Sequence, residues 1–179
     1  MTFAVASSVL ETARLTLRPF ARGDESDLVR QLANRDVAQQ LTHVPYPYRL
    51  VDAQGWIEDC LANPPGKRDG CRFAVTRRGD GALIGGVSLL PHPLGHELGY
   101  WFGRSHWGQG YASEATAATL TFAVDTIGIR RFVAFVFDGN EASMQVLRKT
   151  GFDRVGQETL LRPAGDQKLV HRYVRLVPR

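Results

Sequence analysis

The sequence predicts a mixed α+β domain built on one central sheet. Three observations carry this. Short period-2 apolar segments and longer period-3.6 segments run in the order strand, two helices, three strands, helix, strand, helix, two strands. Turn signals such as Asn63-Pro64-Pro65-Gly66 and Gly79-Asp80-Gly81 separate them. No repeat, low-complexity tract or domain-scale linker interrupts the 179 residues, so one domain is expected.

The elements follow in order. Residues 1–9 contain no Lys or Arg and are too short for a signal peptide, so they read as a loose leader before a domain over 10–177. Leu15-Thr16-Leu17-Arg18 alternates and then meets Pro19, which makes a first strand. Asp24 is placed to cap a helix over Glu25–Ala33, and a helical turn over Asp36–Leu41 follows. The two prolines of His43–Tyr48 make that segment a loop. Asp52 is expected to cap a helix whose inner face is Trp56, Ile57, Cys60 and Leu61.

Cys71–Arg77 and Ala82–Leu90 flank a hairpin turn, and His96–Phe102 is a third strand of the middle section. A helix over Ala112 to about Thr126 comes after Gly108-Gln109-Gly110. Arg131–Phe137 is apolar enough for a buried strand. Asn140 opens a helix over Glu141–Thr150 that Gly151 ends, and Phe152–Leu161 and Leu169–Leu176 close the fold around a turn at Pro163–Asp166.

Composition narrows the classes. At 44% hydrophobic and 22% charged residues, the chain is an ordinary globular protein large enough to bury a core without cross-links. Its two cysteines, Cys60 and Cys71, can make one bridge at most, so a reduced, cytoplasmic protein is expected and a disulfide scaffold is not. No apolar stretch is long enough to span a membrane. The net charge of +4 is scattered, without the stripe or module that nucleic acid asks for, and it suits a phosphorylated small ligand equally well. No metal site is expected, because Pro91 and Pro93 forbid the helix that His92 and His96 would need.

The chemistry centres on Trp107-Gly108-Gln109-Gly110-Tyr111-Ala112, between a strand and a helix. Two glycines let the backbone approach a ligand, and the following helix turns free N–H groups and its positive end toward the loop. That is a main-chain cradle for phosphates. It is not a P-loop, which needs a Gly-Lys-Ser/Thr ending, and Ser113 stands where a dinucleotide fingerprint wants its third glycine or alanine.

In this context the chain resembles the GNAT superfamily of acyl-coenzyme A N-acyltransferases. Glu97-Leu98-Gly99-Tyr100-Trp101-Phe102 is similar to the family's fourth strand, and Trp107 through Ala115 to its pyrophosphate loop and helix. Asn140-Glu141-Ala142-Ser143, with Leu147, Lys149, Gly151 and Phe152, is similar to its coenzyme-side helix. Leu10–Arg18 resembles the opening of the branch that holds the ribosomal-protein-alanine N-terminal acetyltransferases, in which Trp107 is also usual.

The resemblance implies a mostly antiparallel seven-stranded sheet, splayed between its strands 4 and 5, with a bulge on strand 4 and about four helices. It implies acetyl-CoA as co-substrate, with Gly108, Gln109, Gly110, Tyr111, Ala112 and Ser113 on the diphosphate and Trp107 beside them. Trp101 and Phe102 would pair with the pantetheine arm, and Arg104 or Lys149 could reach a phosphate. Asn140 would also meet the arm and Ser143 would lie near the sulfur. Glu97 is the candidate base and Ser143 the candidate partner of the leaving thiolate. The expected acceptor is a protein N-terminus or a small amine, and the expected state a monomer or homodimer. A non-catalytic acyl-CoA sensor of the same fold is the alternative.

Overall fold

The computed structural model describes residues 9–66, 70–161 and 165–178. The expected leader lies outside them except for Val9, as do Pro163 and Ala164 of the last turn.

The first alternating segment forms two short strands, β1 (Leu10–Glu11) and β2 (Leu15–Arg18), with Leu15 and Leu17 fully buried. Helices α1 (Glu25–Leu32), α2 (Arg35–Ala38) and α3 (Leu50–Ala62) follow. Asp24 stands at the start of α1, but its side chain does not cap it. The carboxylate instead accepts from Arg18 Nη1 and Nη2 at 2.8 and 2.7 Å and from the Ala21 amide at 2.9 Å. A bidentate guanidinium outcompetes a single helical amide for a carboxylate. Asn34 caps α2, one residue earlier than the expected turn, accepting from the Asp36 and Val37 amides.

Asp52 is also not an N-cap. It sits in the first turn of α3, three residues after the N-cap Arg49, and accepts from the Arg49 amide at 2.8 Å. The buried stripe of α3 is Ala53, Ile57 and Cys60, with Trp56 half-buried and Leu61 exposed. Leu61 lies about 100° of helical turn beyond Cys60, which carries it off the stripe.

The middle hairpins give β3 (Cys71–Arg77), β4 (Leu83–His92) and β5 (Gly95–Phe102). Then come α4 (Tyr111–Phe122), β6 (Arg131–Phe137), α5 (Glu141–Lys149), β7 (Asp153–Leu161) and β8 (Gln167–Leu176). Helix α4 ends earlier than expected and passes into a wider π turn, Ala123–Ile127, closed by Gly128 at φ +86°.

One eight-stranded sheet results, in the order β1-β2-β3-β4-β5-β6-β8-β7. Every pairing is antiparallel except β5 with β6. The eighth strand is the two-residue edge β1, and the fifth helix is the single turn α2. The face bearing Phe73, Val75, Val87 and Leu98 packs on α4 and α5 through Ala115, Leu120 and Leu147. The opposite face packs on α1 and α3 through Leu28, Leu32, Ile57 and Cys60. No helix among the described residues is long and apolar enough to cross a membrane.

Strands β5 and β6 pair only at His96 with Phe132 and at Glu97 with Val133. Beyond those two pairs they part, which is the expected splay. The expected bulge is not on β5, whose register with β4 runs unbroken from Gly85–Phe102 to His92–Gly95. The irregularity falls one strand earlier, between β3 and β4, where Ile84 is skipped. The extra residue at Ile84 lets both Ile84 and Val87, three positions apart, enter the same core.

Candidate active site

Strand β5 hands the chain to a tight turn at Arg104–His106 and then to α4. Trp107 Nε1 donates to the Phe102 carbonyl at 2.7 Å and Gln109 Nε2 to the Ser105 carbonyl at 3.0 Å, so the loop's large polar side chains tie back onto its own main chain. Gly108 has φ +74° and Gly110, the residue before α4, has φ +79°. No side chain caps α4, and its first main-chain bond runs from the Glu114 amide to the Gly110 carbonyl at 3.1 Å. The amides of Tyr111, Ala112 and Ser113 therefore precede the helical ladder and point out of its positive end. Three such amides beside two left-handed glycines fit a diphosphate. The Tyr111 side chain is buried in the core, so only its main chain serves the loop.

The back of the loop is braced by the first residues of the domain. Arg14 Nη1 donates to the Gln109 carbonyl at 2.9 Å, and its guanidinium lies 4.6 Å from the centre of the Tyr111 ring. Glu114 accepts from Thr12 Oγ1 at 2.6 Å, from the Arg14 amide at 2.9 Å and from Arg14 Nε at 2.7 Å. Burial works against ionisation of Glu114, but these hydrogen bonds outweigh it and hold the carboxyl below its ordinary range.

Next to the loop, the ladder geometry of β5 decides which of its amides are available. The Gly103 amide donates to the Ile84 carbonyl, so alternate residues back along β5, Trp101 and Gly99, turn their main chain toward β4. Tyr100 and Phe102 turn theirs to the opening beyond Glu97. Trp101 is thus not placed to pair a ligand's amides. Its indole lies on Gly86, where a Cβ would come 2.8 Å from Nε1. Phe102 offers its amide to the opening while its carbonyl holds Trp107 and its side chain is buried.

Across the opening stands the start of α5. Asn140 Oδ1 accepts from the Ser143 amide at 3.1 Å. The Ser143 hydroxyl lies 2.7 Å from the Tyr100 hydroxyl, which is also 3.2 Å from the Ser143 carbonyl. Burial pushes the Tyr100 phenol up to about 12, against the Ser143 hydrogen bond and with Tyr173 adding to the rise. Tyr100 is therefore protonated throughout the neutral range and can donate but not abstract a proton.

Two cavities flank β5. One, of about 270 Å³, runs along the loop and α5 and includes Trp107, Gly108, Gly110, Ser113, Asn140 and Ser143. Lys149 and His106 also line it, and burial, with Arg77 nearby, lowers the pKa of His106. Arg104 does not line it; it stacks 4.8 Å from the Trp107 ring centre and pairs with Asp36 at 3.5 Å. The other cavity, of about 500 Å³, opens between α1, the loop before α3, α3 and β5, and contains Glu97. Leu41, Tyr100 and Trp101 line both.

The structure thus gathers the loop residues other than Gln109, with Asn140 and Ser143, around one cleft and puts Glu97 in the other, on the opposite side of β5. The Glu97 carboxylate makes no hydrogen bond or ion pair among the described residues. His96 is half-buried with Nε2 unpartnered among the described residues. Cys60 and Cys71 are free and buried, and burial pushes both thiols up to about 12, so neither is a nucleophile at neutral pH.

Sequence reasoning passed over Tyr100 and the Thr12–Arg14–Glu114 brace. The signal for Tyr100 was present: on an alternating strand it shares the face of Leu98 and Phe102, and that face meets α5. The brace joins residues about a hundred positions apart, and no local pattern announces it.

The family model for the acetyltransferase (GNAT) domain matches residues 14–153. The chain is 30% identical over 151 residues to a Bacillus subtilis protein named "Uncharacterized N-acetyltransferase YoaA", covering 83% of this chain and 84% of that one. It is 36% identical over 101 residues to the ribosomal-protein-serine acetyltransferase of Escherichia coli, covering 53% of this chain and 55% of the relative. The fold is also that of the spermidine N-acetyltransferase of Vibrio cholerae, solved with CoA and spermine. The TM-score is 0.76 at 20% identity, covering 92% of this chain and 96% of that one.

Proposed function

The chain belongs to the GNAT acetyltransferase family and is an acetyl-CoA-dependent N-acetyltransferase, and we propose that its acceptor is an α-amine brought to Glu97 through the cavity of about 500 Å³. One observation carries this reading: the two cavities share Leu41, Tyr100 and Trp101. A thioester reaching in along the loop and an amine coming from the other side meet at that seam, with no need for a covalent enzyme intermediate.

The amides of Tyr111, Ala112 and Ser113, with Gly108, Gln109 and Gly110, hold the diphosphate, and the Ser113 hydroxyl adds a donor. Trp107 walls the loop. The main chain of Tyr100 and Phe102 pairs with the pantetheine amides, and Asn140 contributes its side-chain amide from the other side. Glu97 takes the proton from the incoming ammonium, directly or through water. The Tyr100 amide faces the carbonyl oxygen as its negative charge develops. Ser143 hydrogen-bonds or protonates the departing thiolate, and Tyr100 supplies the proton behind it.

The pKa ladder of amines favours an α-amine. A free α-amino group titrates at about 7.7–8.0 and a lysine at about 10.4, so the neutral form at pH 7 costs about 1 kcal/mol for the first and about 5 for the second. A single carboxylate suffices for the former. The similarity to a ribosomal-protein-serine acetyltransferase supports a protein N-terminus as one source of that amine.

Thiol release from acetyl-CoA, measured against peptides with either a free N-terminus or a free lysine ε-amine, tests the reading. Release with the free N-terminus is expected. Equal or faster release with the ε-amine at pH 7 would overturn the α-amine assignment.

A further inference from the structure

Helix α3 carries a glycine in its interior, Gly55, where glycine costs stability relative to alanine. Neither of the usual reasons for a glycine applies. Its φ is not positive, and nothing lies within 4 Å of the place where a Cβ would stand. What Gly55 does is line the larger cavity. Gly55 is exposed and shares its helix face with Asp52, Trp56 and Asp59 of the lining, so a side chain there would extend into open space at the mouth of that cavity and narrow it.

Much of the rest of the wall is apolar. Leu28 and Leu32 come from α1, Tyr48 from the loop, and Trp56 from α3. The Trp56 ring meets Phe20 edge-on at 6.2 Å, and Arg72 stacks on it at 5.0 Å while pairing with Asp59 at 2.8 Å. The volume is about 500 Å³, far more than one water needs. An alanine-sized acceptor would leave most of it wet. Among the described residues, the charged ones in the lining are Asp52, Asp59 and Glu97, with no Lys or Arg.

Resting on the α-amine reading of this cavity, we infer that Gly55 keeps it open for an α-amine whose carbon bears a bulky apolar group, such as an aromatic side chain, and whose carboxyl is blocked as an amide or peptide bond. The apolar walls take the side chain. Asp52 and Glu97, whose carboxylates have no ion-pair partner among the described residues, favour the ammonium and disfavour a free carboxylate, while Asp59 is matched by Arg72. The amine comes either from a peptide beginning with a large apolar residue or from a small amide.

The test compares kcat/KM for phenylalaninamide, free phenylalanine, alaninamide, spermidine and a short peptide beginning with Phe, in the wild type, Gly55→Leu and Gly55→Ala. In the wild type, phenylalaninamide should exceed alaninamide by about tenfold or more, the scale on which apolar pockets discriminate size. It should likewise exceed free phenylalanine and spermidine. Gly55→Leu should lower the phenylalaninamide-to-alaninamide ratio by about tenfold with CoA affinity intact, and Gly55→Ala should lower it less while raising the thermal midpoint. Gly55→Ala keeps the test decisive should Gly55→Leu fail to fold.

Turnover of the Phe peptide at the rate of the amide assigns the source to a protein N-terminus, and turnover of the amide alone assigns it to a small molecule. Either supports the inference. α-Amine turnover without the size preference, or with an unchanged ratio in both variants, overturns it and leaves the α-amine reading standing. Preference for spermidine, or release with none of these amines, overturns both.

Discussion

Replacing Tyr100 with phenylalanine removes one oxygen and leaves the ring in the core. In the fold it deletes the 2.7 Å contact with Ser143 Oγ and the 3.2 Å contact with the Ser143 carbonyl. The loss of one ordinary, half-buried hydrogen bond should cost about 1 kcal/mol of stability. The loss in turnover should be larger. Proton donation by a positioned group is worth about 10²–10⁴ in rate, and Ser143 remains to hydrogen-bond the sulfur, which puts Tyr100→Phe near 10², or about 2.7 kcal/mol.

The assay is thiol release at saturating acetyl-CoA, with KM for the coenzyme, a thermal melt and the Tyr100→Phe/Ser143→Ala double variant beside it. Residues acting as one relay are non-additive, so the double variant should be no slower than the worse single variant. Because the phenol sits near 12, the wild-type profile should show no loss from Tyr100 ionisation between pH 6 and 9. A kcat within about threefold of wild type, with folding and coenzyme affinity preserved, would remove Tyr100 from the reaction. A change confined to KM would make it a binding residue.

Other perturbations bear on the neighbouring parts. Gly110→Val forces a β-branched residue to φ +79°, at a cost of roughly 2 kcal/mol, and sets its Cβ 3.4 Å from Arg14 Nη2, against the brace behind the loop. Calorimetry should show CoA affinity falling by about 10² or more, and undiminished binding would overturn the loop assignment. Glu114→Gln keeps the shape of the brace but presents a donor to Arg14; it should cost about 1–2 kcal/mol and raise KM for acetyl-CoA several-fold, and an unchanged KM would show that the brace does not position the loop. Alkali should also destabilise the fold. Cys60, Cys71 and Tyr100 each hold their proton to about 12, above their ordinary 9 to 10, so from about pH 9 the unfolded chain binds fewer protons than the native one and stability falls as pH rises. A urea midpoint that stays constant from pH 8 to 11 would contradict that burial.

Much of this was legible in the sequence. Strand and helix boundaries came within a few residues wherever an element had its own punctuation, as at Gly79-Asp80-Gly81, at Asn140 and at Gly151. The errors differ in cause. Asp24 and Asp52 are good local caps, but a guanidinium from β2 takes the first, and α3 starts early enough to put the second inside it. Only the first involves a group from another element; Asp52 accepts from the Arg49 amide three residues back, the local contact of an acidic residue in a helix's first turn. Leu61 looked like core by residue type alone and was left outside by the helical period.

By itself, then, the amino-acid order determined the succession of elements, the glycine-bearing loop before α4 and the Asn140–Ser143 cap, because each depends on backbone dihedrals and hydrogen bonds within a few residues. Tertiary structure alone decided that Tyr100 meets Ser143, that Arg14 and Glu114 brace the loop from behind, that the main chain of Trp101 faces β4, and that Glu97 lies in a different cavity from the loop. Those relations depend on which way a strand's amides face and on which distant side chains pack together. Both are settled only when β5 has one neighbour along its whole length and loses the other after two pairs.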